Sequence, residues 1–156
     1  ANSKRAAEIV LEAREIAKKG DATVADEMLR EAQTLDPSSG AALMYRANIA
    51  AFLVRQDIDH AIALYRESIA IEPDKWDTRF FLGKVLVAQR QYAEAEAELE
   101  AALSLVPDSE AVQLELATAK TRRTLAPNID GSSPKVPEDP QLTTALLQNL
   151  EEHGKE

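Results

Sequence analysis

The chain has 156 residues, a net charge of −9 and a pI near 4.8, a size that suits one domain or one short repeat array. The acidic balance excludes a nucleic-acid partner, whose phosphates need a basic face, and no run of about 18 apolar residues is present to insert in a membrane. With no cysteine, disulfides, thiolate nucleophiles and thiolate metal sites are excluded as well.

No signal-peptide pattern opens the chain. A start at Ala1 points to a processed chain or to a segment of a longer one. Cytoplasm and periplasm both stay open, the cytoplasm favoured. The first predicted helix covers residues 3–19, with Ser3 as its N-cap, Ala6, Ile9, Ala13 and Ile16 inward, and Gly20 as its stop. A partner helix follows from Asp21 to Thr34, with Ala25, Met28, Leu29 and Ala32 inward. A second pair spans 40–55 and 59–71, joined by Gln56-Asp57-Ile58-Asp59, with Asp59 as the cap.

The third pair runs from Trp76 to Pro107 and breaks at Arg90-Gln91. Phe80, Leu82, Gly83, Leu86 and Val87 mark its first helix; Tyr92, Ala95, Leu99, Ala102 and Leu103 mark its second. Small residues at Gly83, Ala95 and Ala102 suit close backbone approach, and Pro107 ends the unit because it lacks an N–H. A last helix, 109–125, turns Val112, Leu116, Ala117 and Ala119 inward and Gln113, Lys120, Arg122 and Arg123 outward, as a capping element must. The stretch 126–140 reads as a Pro/Ser-rich linker. Asp139-Pro140 then opens an amphipathic helix over 141–152, striped by Leu142, Leu146, Leu147 and Leu150.

The pairs repeat. Ala95, Leu99 and Ala102 keep the offsets from Pro107 that Ala61, Tyr65 and Ser68 keep from Pro73, and Ala25, Leu29 and Ala32 from Pro37. Pro73 to Pro107 is 34 residues and Pro37 to Pro73 is 36, and the reading places the extra two in the Ser38-Ser39-Gly40 turn. This pattern resembles the tetratricopeptide repeat, a 34-residue helix–turn–helix unit. Leu82-Gly83, Tyr92, Ala95, Leu99, Ala102 and Pro107 carry the resemblance, while Arg79 fills the usual Trp slot. It implies an all-α, right-handed superhelical array (an α-solenoid) of three units, about 6–37, 42–73 and 76–107, with the capping helix behind them.

No P-loop, G-x-S-x-G or G-x-G-x-x-G is present. His60 lies near Asp57 and Asp59, where turn and cap roles explain the carboxylates, and His153 sits in a charged tail. Glu94, Glu96, Glu98 and Glu100 point in different directions on a helix and do not converge. The expectation is no enzyme, no cofactor and no metal site.

In the family that the chain resembles, the first helices of successive units line a concave groove that binds peptides. The matching positions here are Val10, Arg14, Leu43, Arg46, Ala47, Ala50, Leu53, Val54, Phe80, Phe81, Lys84 and Val87, flanked by Ala7, Leu11, Ala17, Lys18, Asp77 and Ala88. The clamp that holds chaperone C-terminal tails in some members uses Lys, Asn, Asn, Lys and Arg. Here those places hold Val10, Arg14, Ala47, Asp77 and Phe81, so that clamp is not expected. The resemblance implies a non-enzymatic scaffold for an apolar or amphipathic protein segment, with the 141–152 helix able to occupy the groove in its own or a neighbouring molecule. Two alternatives stay open: a chaperone shielding a hydrophobic client before secretion or assembly, and a soluble arm of a larger envelope or membrane complex.

Overall fold

Three prolines pace the fold. In the computed structural model, which describes residues 1–126, each proline is followed two residues later by a helix N-cap: Ser39 after Pro37, Lys75 after Pro73, Ser109 after Pro107. The same short turn forms each time. Ser39, Lys75 and Ser109 donate their N–H to the carbonyls of Asp36 (3.0 Å), Glu72 (3.3 Å) and Val106 (3.0 Å). The expectations for the linker from Pro127 onward and for the 141–152 helix lie outside the described residues.

Seven helices result among the described residues: α1 (Asn2–Lys18), α2 (Ala22–Leu35), α3 (Gly40–Asn48), α4 (Ile58–Ile71), α5 (Trp76–Ala88), α6 (Tyr92–Leu105) and α7 (Glu110–Leu125). A π-helical segment, Ile49–Val54, continues α3. Consecutive helices pair as α1–α2, α3–α4 and α5–α6, and α7 packs on α6 and α5 at the end of the stack. Each pair turns at a residue of positive φ: Gly20 (94°), Arg55 (55°) and Arg90 (61°). At the third turn Arg90 donates to the Val87 carbonyl (3.0 Å) and Gln91 to that of Leu86 (2.9 Å), which satisfies carbonyls the helix end leaves open.

The two extra residues of the middle unit are not in the Ser38-Ser39-Gly40 turn, which makes the same backbone bond over the same length as its counterparts. From Pro37 to Arg55 is 18 residues against 17 from Pro73 to Arg90, so one extra residue lies in the first helix. The π segment absorbs it: Arg55 donates five residues back, to the Ala50 carbonyl (2.9 Å). The other lengthens the turn, since α4 starts three residues after Arg55 while α6 starts two after Arg90. In that turn Asp57, not Asp59, is the cap; its carboxylate accepts from the His60 N–H (2.9 Å). Ser3 is not a cap either, because α1 already begins at Asn2 with no side-chain cap.

The core is built from repeated positions. Ala25, Ala61 and Ala95 are fully buried, as are Leu29, Tyr65 and Leu99 one turn later. Ala32, Ser68 and Ala102 follow, and the Ser68 hydroxyl donates to the Gly40 carbonyl (2.8 Å), so a polar atom in this row is satisfied. Opposite them stand small residues of the first helices, Ala13, Ala47 and Gly83. A Cβ on Gly83 would lie 2.6 Å from Leu99 Cγ, which explains the glycine. Val112, Leu116 and Ala119 of α7 close the far end as expected, whereas Ala117 is exposed.

Candidate functional site

α1, α3 with its π extension, and α5 stand side by side as the first helices of the three units. Their shared face holds a cavity of about 250 Å³, walled by Ala13, Arg14, Ala17 and Lys18 of α1, Tyr45 and Asn48 of α3, Ile49, Phe52 and Leu53 of the π segment, Phe81 of α5, and Leu29 beneath. The walls are apolar apart from the ends of a few side chains. Phe52 meets Phe81 edge-on, with ring centroids 6.2 Å apart. Phe81 is 5.7 Å from Phe80, and Phe80 is 6.0 Å from Trp76, so an aromatic row crosses from the middle unit into the third.

Cations border this row. Lys84 Nζ lies 5.6 Å from the Phe80 ring centroid and 5.9 Å from that of Phe52. Arg14 stands at the α1 side; the neighbouring Tyr45 hydroxyl, with smaller contributions from Glu15, raises its pKa above an already high value, so its charge is permanent. Lys18 Nζ reaches the Glu15 carboxylate at 2.9 Å. Below the floor the Tyr65 hydroxyl of α4 donates to Asn48 Oδ1, tying a groove residue to the core.

The expected groove residues divide into three groups. Arg14, Leu53, Phe80, Phe81 and Lys84 lie on or beside this face. Val10, Leu43, Ala47 and Val87 do not present themselves to a ligand: they are 4%, 1%, 0% and 4% exposed and belong to the core between helices. Arg46, Ala50 and Val54 face elsewhere, onto a second cavity of about 410 Å³ between α2, the π segment and α4, shared with Asp26, His60 and Leu64. Arg46 is committed there: it donates to Asp26 (3.2 Å) and Gln33 (2.8 Å) of α2.

Tyr45, Asn48 and Phe52 were the groove residues missed, since counting back from Ala61 puts Tyr45 and Phe52 in core slots. Counting forward from the Pro37 turn aligns Tyr45 with Phe81, 36 residues on, and would have found the row. Both extra residues, one in the π segment and one in the turn before α4, lie between those two counts, so they disagree by two.

Two family models, each described as a tetratricopeptide repeat, match residues 10–75 and 52–120, together most of the chain. No curated protein matches it by sequence. Among solved structures it is similar to the first such domain of Spaghetti (RPAP3) bound to an HSP90 peptide, at 19% identity and TM-score 0.70 over 76% of this chain and 92% of that one. The second such domain is that of yeast Sti1 in complex with an Hsp70 peptide, at 24% identity and TM-score 0.69, covering 78% and 100%. A third is the Yersinia enterocolitica type III secretion chaperone SycD with a peptide of the translocator YopD, at 17% identity and TM-score 0.67, covering 78% and 96%.

Proposed function

Because the chain belongs to the tetratricopeptide-repeat family, we propose that it is a non-enzymatic scaffold that binds an apolar or amphipathic segment of a partner protein across α1, α3 and α5. The observation that carries this reading is the aromatic row Phe52–Phe81–Phe80 beside a 250 Å³ apolar cavity, with Lys84 set over two of its rings. Half-buried aromatics in a concave surface gain by covering, each by roughly half of the 1.5–3 kcal/mol that burying a fully exposed ring is worth, about 1 kcal/mol. Cations at both sides, Arg14 and Lys84, suit a ligand whose apolar anchors are flanked by acidic residues.

Three neighbours with peptides bound support a peptide ligand, and the side chains of this groove point to its kind. The middle of this groove offers Tyr45 and Phe52, and Arg79 is engaged with Glu98 (3.0 Å) and the Pro73 carbonyl (3.1 Å). Apolar anchors, not a terminal carboxylate, are the feature such a surface selects. A chaperone that shields a client's hydrophobic segment would use the same face.

Panning a displayed peptide library on the protein tests this. Peptides with i, i+4 apolar anchors should be enriched, and binding should change the fluorescence of the single tryptophan, Trp76, next to Phe80. Phe81→Ala and Phe52→Ala should each weaken them about 3- to 10-fold, the loss of the covered half of one ring. Selected peptides that bind both variants as tightly as the parent would overturn the proposal.

A further inference from the structure

The groove has a candidate occupant in the same polypeptide. α7 starts from the same Pro-plus-two turn as α3 and α5 and packs beside α5, so it runs as the fourth first-helix of the stack. Its C-terminal end, Leu125, therefore lies on the edge where α1, the π segment and α5 also end. The apolar cavity sits toward that edge, between the last turns of α1 (Arg14, Lys18) and the π segment (Phe52, Leu53). The chain is thus delivered at Ala126 to the rim of the groove, on its α5 side.

We propose that residues 141–152 lie across this groove as a helix, entering beside α5 and ending beside α1; this rests on the peptide-binding reading above. Three magnitudes agree. The tether has one step between neighbouring helices to cover, about 8–10 Å from α7 to α5. The 15 residues 126–140 reach about 20 Å as a coil, more than that step requires, and so short a tether holds the segment at a millimolar effective concentration. Twelve helical residues are about 18 Å long, the width of the α1–α3–α5 face.

Charge fixes the direction. Leu142, Leu146 and Leu150 share one stripe, and Glu151-Glu152 ends it. Carboxylates at a helix C-terminus oppose its dipole, so this helix needs a basic partner there. A helix entering from α5 brings Glu151 and Glu152 to α1, where Arg14 and Lys18 stand, and leaves its leucines over Phe81, Phe52 and Leu53. The reverse direction would bring Glu151 and Glu152 to the aromatic end, where Lys84 lies over the rings, in place of the two cations Arg14 and Lys18 at α1. The outer face of α7, with Leu114 70% exposed, is the competing surface, but α7 carries no aromatic residue for the leucines to cover.

The absence of cysteine makes a direct test clean. In the full chain, the pair Lys18→Cys with Glu151→Cys should oxidise to an intramolecular cross-link in dilute protein, while Leu114→Cys with Leu146→Cys should not. A preferred cross-link to position 114, a cross-linked dimer, or no cross-link from either pair would each overturn the proposal. A labelled peptide of residues 141–152 provides the second readout. It should bind the full-length Leu146→Asp/Leu150→Asp variant at least about tenfold more tightly than the parent, whose groove is filled, and Phe81→Ala in that variant should abolish the gain. Equal binding to variant and parent sinks self-occupancy while library peptides can still bind, so it is distinguishable from failure of the groove itself.

Discussion

Gly83 is the position where packing and helix propensity make opposite predictions. It lies within α5, where replacing glycine by alanine should stabilise an ordinary exposed helix by about 1 kcal/mol. Here the added Cβ would sit 2.6 Å from both Cγ and Cδ2 of Leu99, against a comfortable contact of roughly 3.5–4.0 Å. Leu99 is fully buried, so its Cγ yields only by leaving its rotamer among packed neighbours or by a shift of α6. Overpacking of this kind costs about 1–3 kcal/mol, so Gly83→Ala should come out destabilising by roughly 1 kcal/mol net, and Gly83→Leu by more. For a helical array of this size that is a fall of about 4 °C in Tm per kcal/mol. Urea denaturation followed by circular dichroism measures it. The decisive version is the cycle with Leu99→Ala, which alone should cost about 2–5 kcal/mol. In the Gly83→Ala background that cost should shrink by at least about 1 kcal/mol, because the new methyl fills space the leucine leaves. A raised midpoint for Gly83→Ala, or additive effects in the cycle, would show that the helices do not meet at Gly83.

Other outcomes follow from single contacts. Tyr65→Phe removes the donor to Asn48 Oδ1 from a fully buried ring and should cost about 1 kcal/mol in chemical denaturation. Arg46→Ala breaks the bonds to Asp26 and Gln33 and should cost about 1.5 kcal/mol, while leaving the affinity of groove-selected peptides unchanged in a fluorescence titration. The Ser38 hydroxyl lowers the Asp36 pKa below its ordinary 3.8, and Lys18, then Arg14, lower that of Glu15 below 4.5. Both folded values lie under the unfolded ones, so their stabilisation is present above pH about 4.5 and is lost as pH falls through the folded pKa values. Thermal melts across pH 2–6 should show a shallower acid limb for Asp36→Asn than for the parent.

What the chain announces in its sequence is whatever chemistry can punctuate. Prolines end helices, Gly20 stops α1, and the buried rows Ala25/Ala61/Ala95 and Leu29/Tyr65/Leu99 recur at fixed offsets, so the helix order and the three-unit array were legible. The inserted residue of the middle unit was not. Ile-Ala-Ala-Phe-Leu-Val carries no glycine or proline, and a π turn made of such residues looks like plain α-helix. With the extra residue of the following turn it shifts the register by two, so counting from Ala61 puts Arg46, Ala50 and Val54 in the groove in place of Tyr45, Asn48 and Phe52. Arg46 misleads for a second reason: its partners Asp26 and Gln33 are 20 and 13 residues away, and only the pairing of α2 with α3 brings them together.

The central claim, that the α1–α3–α5 face is the binding surface, is tested most directly by a residue-resolved titration. With a library-selected peptide added to the isotope-labelled full chain carrying Leu146→Asp/Leu150→Asp, the amide resonances of Arg14, Asn48, Phe52, Phe81 and Lys84 should shift together and saturate at one Kd. Shifts confined to Asp26, Arg46, Val54 and His60, around the second cavity, would place the binding surface on the other side of α3 and contradict the account.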